Sequence, residues 1–182
     1  MFSLKISDDI ELRSFAETDA VEIFEVVRKN YEHLRPFLHW VTKDYSLETA
    51  RDFIGQTRKA VAENTSRTFG IFNGGKIVGV IGLVNFNWES SRTEIGYWID
   101  KSYQGKGIIT ESCRALINYA FRELKINRIE IRCATENTRS RAIPQKLNFK
   151  LDGILRQSEW RHTRFFDMEI YSLLAEEYNG GF

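Results

Sequence analysis

The chain has little of what breaks, staples or anchors a protein. Only two prolines, Pro36 and Pro144, occur in 182 residues, and no low-complexity stretch or repeat divides them, so residues 1–182 are expected to form a single domain. Its two cysteines, Cys113 and Cys133, fall on an amphipathic stripe and in a strand-like run, which reads as small buried side chains in preference to a disulfide or ligand pair. His33, His39 and His162 are scattered without ligand spacing, and no metal is expected. No run approaches the ~18 to 20 apolar residues of a membrane span. The first residues carry Lys5, Asp8, Asp9 and Glu11 where a signal peptide or anchor would have an apolar core, so neither is expected. A formal net charge of +1 gives no field for non-specific nucleic-acid binding. Two phosphate motifs are also missing: neither GxxxxGK[ST] nor a GxGxxG opening the first strand–helix unit occurs. These absences leave a cytoplasmic α/β protein with neither membrane nor nucleic acid as partner.

What is present begins with a composition that is 42% hydrophobic, enough to bury a substantial core. Ile10 to Phe15 reads as a first strand. Glu17 to Asn30 reads as a helix capped by Thr18, Tyr31 to Val41 as a short helix, and Ser46 caps another running to Glu63. Three strands follow, Arg67 to Phe72, Lys76 to Phe86 and Arg92 to Ile99, the first two joined by a hairpin at Asn73, Gly74 and Gly75. Next come a helix from Thr110 to Leu124, a strand Arg128 to Ala134, a helix Arg139 to Leu147, and strands Phe149 to Leu155 and Phe165 to Leu173. The order β-α-α-α-β-β-β-α-β-α-β-β describes a mixed, mostly antiparallel sheet with helices on both faces.

The segment Gln104 to Glu111, QGKGIITE, carries the strongest chemical signal. Before it, Ile95, Tyr97 and Ile99 alternate with Glu94, Gly96 and Trp98. After it, Ile109, Cys113, Leu116, Ile117, Ala120, Phe121 and Leu124 fall at helical spacing. Gly105 and Gly107 therefore occupy a strand-to-helix turn, where glycine permits positive φ and lets an anion approach free amides at the positive end of a helix. Lys106 adds a mobile charge. Basic residues prevail from Lys101 onward, which suits a polyanionic ligand; a chance imbalance on solvated faces accounts for it equally well.

This segment resembles the pyrophosphate loop of the GNAT superfamily of acetyl-CoA-dependent N-acetyltransferases, Gln/Arg-x-x-Gly-x-Gly/Ala. Gln104 and Gly107 fill the first two positions, and Ile109 stands where the third is Gly or Ala. Asn137, Ser140, Arg141, Ala142, Lys146, Leu147 and Phe149 match the EN..SRA...KLGF signature of the RimJ/RimL-like branch, with Asn148 in place of its Gly at an expected left-handed cap. EIGYWID and DMEIYSLL extend the likeness over roughly residues 8 to 175. The resemblance implies a GNAT fold whose strands 92–99 and 128–134 diverge to admit the pantetheine arm. Acetyl-CoA is then the cosubstrate, held by Trp98, Ile99, Gln104, Gly105, Lys106, Gly107, Ile108, Ile109 and Thr110, with Asn137 bonding pantetheine and Ser140 beside the thiol. It also implies a homodimer acting on the N-terminus of a ribosomal-type protein.

Acetyl transfer to an amine needs a neutral nitrogen, a site for the oxyanion and a proton for the leaving thiolate. An α-amine with pKa near ~8 is roughly a tenth neutral at pH 7, a lysine near ~10.4 far less. Glu159, in RQSEWRHT, aligns with the branch's general base, and Trp160 beside it would desolvate it; alternatively it is an exposed loop carboxylate. Glu94 is the rival base, or else a cross-strand partner for an arginine. Ser140 is the proton donor to sulfur by resemblance, or a helix cap. A backbone N–H near Trp98 or Ile99 is expected to meet the oxyanion. The aromatic group Tyr31, Phe37, His39, Trp40 and Tyr45 reads as core or lid over the acceptor. Acceptors other than a protein N-terminus are a polyamine, an amino sugar or an antibiotic, and a non-catalytic acyl-CoA-binding module is a separate class.

Overall fold

The computed structural model describes residues 3–178. Its strands are β1 (Ser3–Lys5), β2 (Ile10–Arg13), β3 (Arg67–Asn73), β4 (Lys76–Asn87), β5 (Arg92–Ile99), β6 (Arg128–Ala134), β7 (Lys150–Arg161) and β8 (Arg164–Leu174). Its α-helices are α1 (Ala20–Lys29), α2 (Tyr31–Leu34), α3 (Leu47–Ala62), α4 (Ile108–Arg122) and α5 (Thr138–Lys146). All eight strands form one sheet in the order β1-β2-β3-β4-β5-β6-β8-β7.

Every neighbouring pair is antiparallel except β5 and β6, and this exception makes the site. Their parallel register runs only through Arg92↔Arg128, Thr93↔Ile129 and Glu94↔Glu130. Beyond Glu94 the two strands continue without pairing, β5 to Ile99 and β6 to Ala134, so the sheet splays into a wedge. The expected divergence lies there.

Two cores flank the sheet. On one face Ile95, Ile99, Ile129 and Ile131 pack beneath Cys113, Leu116, Ile117 and Ala120 of α4. On the other, Phe72, Ile77 and Val80 meet Ile23 and Val27 of α1 and Ala50 and Ile54 of α3, with Trp98 at the margin. Strand alternation accounts for the division, since odd positions of β5 face α4 and even positions face α1 to α3.

Local signals placed most elements. Ser46 Oγ accepts from Thr49 N at 3.1 Å and starts α3 as expected. Gly74 and Gly75 turn the β3–β4 hairpin with φ of 56° and 80°. Asn148 closes α5 at φ 59°.

Five expectations are corrected. The strand β1 precedes the expected first strand, which itself ends at Arg13 and not Phe15. Thr18 does not cap α1; a 3-10 turn spans Glu17–Asp19, and the Asp19 carboxylate accepts from Ala16 N at 2.7 Å. α4 starts at Ile108, directly after the left-handed Gly107, two residues before the expected Thr110. α2 stops at Leu34, not Val41, because Pro36 lacks an N–H and its ring crowds the preceding turn. β7 runs to Arg161 through irregular pairing between Leu155 and Glu159, so Glu159 lies on a strand and not in a loop.

Candidate active site

The wedge between β5 and β6 opens into a cleft of about 770 Å³, within the usual range for small-molecule sites. Gln104, Gly105, Gly107, Ile108, Ile109 and Thr110 line one end, and Glu94, Tyr97, Trp98 and Ile99 line its floor. Asn137 and Ser140 enter from α5. Lys106 does not line the cleft; its ammonium lies 4.7 Å from the Tyr103 ring centroid.

The loop end is built to receive an anion. Gly105 and Gly107 take φ of 74° and 78°, and nothing lies within 4 Å of where a Cβ would stand on either. The first helical bond here is Glu111 N to Gly107 O at 3.0 Å, leaving the amides from Gly105 to Thr110 without acceptors among the described residues. Free amides at the start of a fifteen-residue helix offer a cradle to an anion, and acetyl-CoA's pyrophosphate fits that chemistry. Ile109 leaves the cradle open because its side chain is buried in the α4 core.

At the centre, Asn137 and Ser140 divide their roles. Asn137 Oδ1 accepts from Ser140 N at 3.1 Å, so Asn137 is the cap of α5 and Ser140 is not. The Ser140 hydroxyl meets Tyr97 Oη and Cys133 Sγ, each at 3.2 Å, and Tyr97 Oη donates to Ser140 O at 3.1 Å. Burial pushes the Tyr97 phenol well above its ordinary range and the Cys133 thiol up to about 11. Both are therefore neutral proton carriers at pH 7. Sequence reasoning gave Tyr97 only a place on one face of β5 with Ile95 and Ile99; its position beyond Glu94, the last residue paired with β6, depends on the fold.

The two candidate bases occupy different settings. Glu94 lines the cleft, half-buried; Asn85 Nδ2 donates to it at 3.3 Å, and Arg132 pairs with it at 3.5 Å while its Nε–H donates to Glu130. Burial raises its pKa, and the neighbouring Glu130 and Glu159 add to the rise, while Arg132 and Asn85 oppose it. Glu159 lies outside the cleft lining with its side chain 40% exposed, held by Arg161 through Nη2 at 2.5 Å and Nε at 3.0 Å. Trp160 does not desolvate it: the ring is 55% exposed and packs edge-on against Phe165 at 4.9 Å.

Backbone geometry separates the amides of β5 that face the wedge from those that do not. Asp100 N donates to Val78 O at 2.7 Å, so in the register Val80↔Trp98 the amide of Trp98 also turns toward β4. By alternation the amides of Tyr97 and Ile99 turn toward the wedge. The acceptor end is walled by Leu34, Phe37, Leu38, Arg132 and Arg161. His162 Nε2 reaches Arg35 O at 3.0 Å and Leu38 O at 3.3 Å, tying the β7–β8 hairpin to that wall. Trp40 belongs to the second core, 6.2 Å from Trp98 and 5.7 Å from Tyr45 by ring centroids, and His39 is exposed.

A mixed sheet splayed between β5 and β6, with an anion-receptive loop leading from β5 into α4, is the architecture of an acyl-CoA-dependent transferase. Residues 9–150 match the acetyltransferase (GNAT) domain, and the chain belongs to that family. It is an acetyl-CoA-dependent N-acetyltransferase. It is 35% identical over 181 residues, 99% of each chain, to the Bacillus subtilis (strain 168) protein named "Putative ribosomal N-acetyltransferase YdaF". The solved structure of RimL, ribosomal L7/L12 alpha-N-protein acetyltransferase, in complex with coenzyme A has a TM-score of 0.92 at 26% identity, covering 97% of this chain and 100% of that one. The microcin C7 self immunity acetyltransferase MccE, in complex with acetyl-CoA and AMP, has a TM-score of 0.89 at 26% identity, covering 94% of this chain and 95% of that one.

Proposed function

We propose that this N-acetyltransferase acetylates the N-terminal α-amine of a protein, with Glu94 as general base and Ser140, backed by Tyr97, as hydrogen-bond donor to sulfur. The observation that carries the acceptor class is the charge of the acceptor end. Among the described residues Glu94 is the one carboxylate in the cleft lining, and Arg132 already pairs it. A polyamine needs several free carboxylates; here Arg132 and Arg161 stand beside apolar Leu34, Phe37 and Leu38. Such a wall suits an uncharged peptide end.

Bound acetyl-CoA supplies an activated acetyl thioester. The chain's residues do the rest. The amides of Gly105 to Thr110 hold phosphate, and Asn137 keeps its Nδ2 free to donate toward the pantetheine arm after its oxygen has capped α5. Even positions of β5 face the acceptor helices and odd positions face α4, so Glu94 and Tyr97 approach the wedge from opposite faces. The incoming amine thus loses its proton to Glu94 on one side, and on the other the Ser140 hydroxyl turns its O–H from Tyr97 Oη to the departing thiolate, which solvent then protonates. The Ile99 amide, turned into the wedge, is the donor for developing negative charge. A base with a raised pKa is matched to an α-amine at neutral pH.

RimL, which the chain resembles across nearly its whole length, is an alpha-N-protein acetyltransferase, and this likeness supports the same acceptor class. No helix among the described residues is long and apolar enough to cross a membrane, in keeping with a cytoplasmic role. A homodimer is part of the reading, and exposed Leu151, Ile154 and Leu155 on edge strand β7 offer apolar area for it; sedimentation at a dimer mass is expected.

The test is release of free thiol from acetyl-CoA across peptides with small N-terminal residues, spermidine, an amino sugar and AMP-linked amines. Turnover on peptides, with Glu94→Gln lowering kcat about a hundredfold and leaving the acetyl-CoA KM nearly unchanged, is expected. Turnover confined to small amines would overturn the acceptor, and an unaltered kcat in Glu94→Gln would return the base role to Glu159.

A further inference from the structure

One contact at the loop end has no part in the mechanism above. The side chain of Gln104 is held at both ends: Arg139 Nη1 donates to its Oε1 at 2.7 Å, and its Nε2 lies 2.8 Å from His33 Nε2. The three residues come from α5, the loop and α2, and all three line the cleft, so this chain of bonds joins those elements along its wall.

The chemistry of each group fixes the proton. Arginine has no acceptor, so the amide oxygen must be the end that faces Arg139. The amide nitrogen then faces His33, and an amide nitrogen only donates. His33 Nε2 must offer a lone pair, which places the ring proton on Nδ1 and makes the imidazole neutral. Protonated His33 would set N–H against N–H, and turning the amide over would set its nitrogen against Arg139.

We propose that His33 is a positioning residue for the donor site: neutral His33 locks Gln104 and Arg139 beside the phosphate cradle, and protonation of His33 releases the lock and weakens acetyl-CoA binding. The proposal rests on the cradle's being the pyrophosphate site. Arg139 spends one N–H on Gln104 and keeps others for phosphate, while His33 touches no reacting atom. The surroundings keep the ring neutral. Burial comes first, then the charges of Arg139 on α5 and Lys101 before the loop, all lowering its pKa below 6.5; Asp100, itself bonded to Lys29 of α1, opposes them.

The test is the dissociation constant of coenzyme A by calorimetry from pH 8 to pH 5, with kcat and KM in parallel, for the wild type, His33→Ala and His33→Gln. Coenzyme A titrates too, and His33→Gln, which keeps an acceptor but does not titrate, supplies the control. The wild type is expected to lose about fivefold in affinity on acidification beyond any loss in His33→Gln, the equivalent of one hydrogen bond. His33→Ala is expected to be about fivefold weaker at pH 8, with kcat at saturation retained. Equal pH dependence in wild type and His33→Gln, or tighter binding by the wild type at acid pH, would overturn the lock. Tight binding by all three with one common profile defeats this inference alone; no binding by the wild type at any pH defeats the cradle itself.

Discussion

Asn137 and Ser140 share a short helix start that often gives both tasks to one side chain. Because Asn137 is the cap, Asn137→Ala is expected to cost about 1 kcal/mol and lower Tm by roughly 2–4 °C in a chain of this size, read by calorimetry. Ser140→Ala removes a hydroxyl the helix does not use. It is expected to leave Tm nearly unchanged and lower kcat about tenfold or more, and the reverse pattern would make Ser140 structural. Cys133 gives a second check on the same spot. Its thiol is pushed up to about 11 by burial, and Cys113, on the fully buried stripe of α4, is higher still. Neither is expected to react promptly with a thiol reagent at pH 8. Cys133, which lines the cleft, should react before Cys113, and bound coenzyme A should slow it. Glu94 and Glu159 show where reading residues stops short: Glu94 was legible on a strand and Glu159 was not, and which of them borders the wedge depends on where β5 and β6 cease to pair.

Elements with strong local chemistry were legible. β6 has the expected bounds Arg128–Ala134, and α3 starts where Ser46 caps it, with Ala50, Ile54 and Thr57 buried on its stripe. The segments that escaped are governed by distant partners or by a steric veto. Three residues of β1 show no period, and they become a strand only by pairing with β2. Pro36 ends α2 against the pull of its apolar neighbours. Beyond Leu155, β7 owes its last turn-prone residues to β8, including Gln157 at φ 50° and Glu159 opposite Phe166. The turn from β5 into α4 was legible because glycine and an amphipathic helix are both local signals. Gly107→Ala tests that loop: the left-handed φ disfavours a side chain by about 1–2 kcal/mol, so both stability and acetyl-CoA affinity are expected to fall. A loss of stability with unchanged affinity would deny the cradle its ligand.

The His33–Gln104–Arg139 chain, with partners 71 and 35 positions apart, was invisible in sequence because only the closed fold brings them together. The same holds for Asp100, which anchors the end of β5 to α1. It is buried, which alone would raise its pKa, yet bonds from Lys29 at 2.9 Å and from Ser102 N and Oγ at 2.8 and 2.6 Å outweigh this and hold it well below 3.8. A carboxylate depressed on folding contributes stability that is complete above the unfolded pKa and is lost as pH falls toward the folded value. Unfolding midpoints are therefore expected to drop below about pH 4, and Asp100→Asn should lower stability at pH 7 while flattening that acid decline.

What joins these parts is a cleft with a phosphate cradle at one end and a weakly charged acceptor wall at the other, and its predicted product is an acetylated N-terminus. The most direct test is mass spectrometry of a peptide bearing both a free α-amine and an internal lysine after incubation with the enzyme and acetyl-CoA. Acetyl on the α-amine alone, lost in Glu94→Gln, is the predicted result; acetyl on the lysine, or on neither amine, would contradict it.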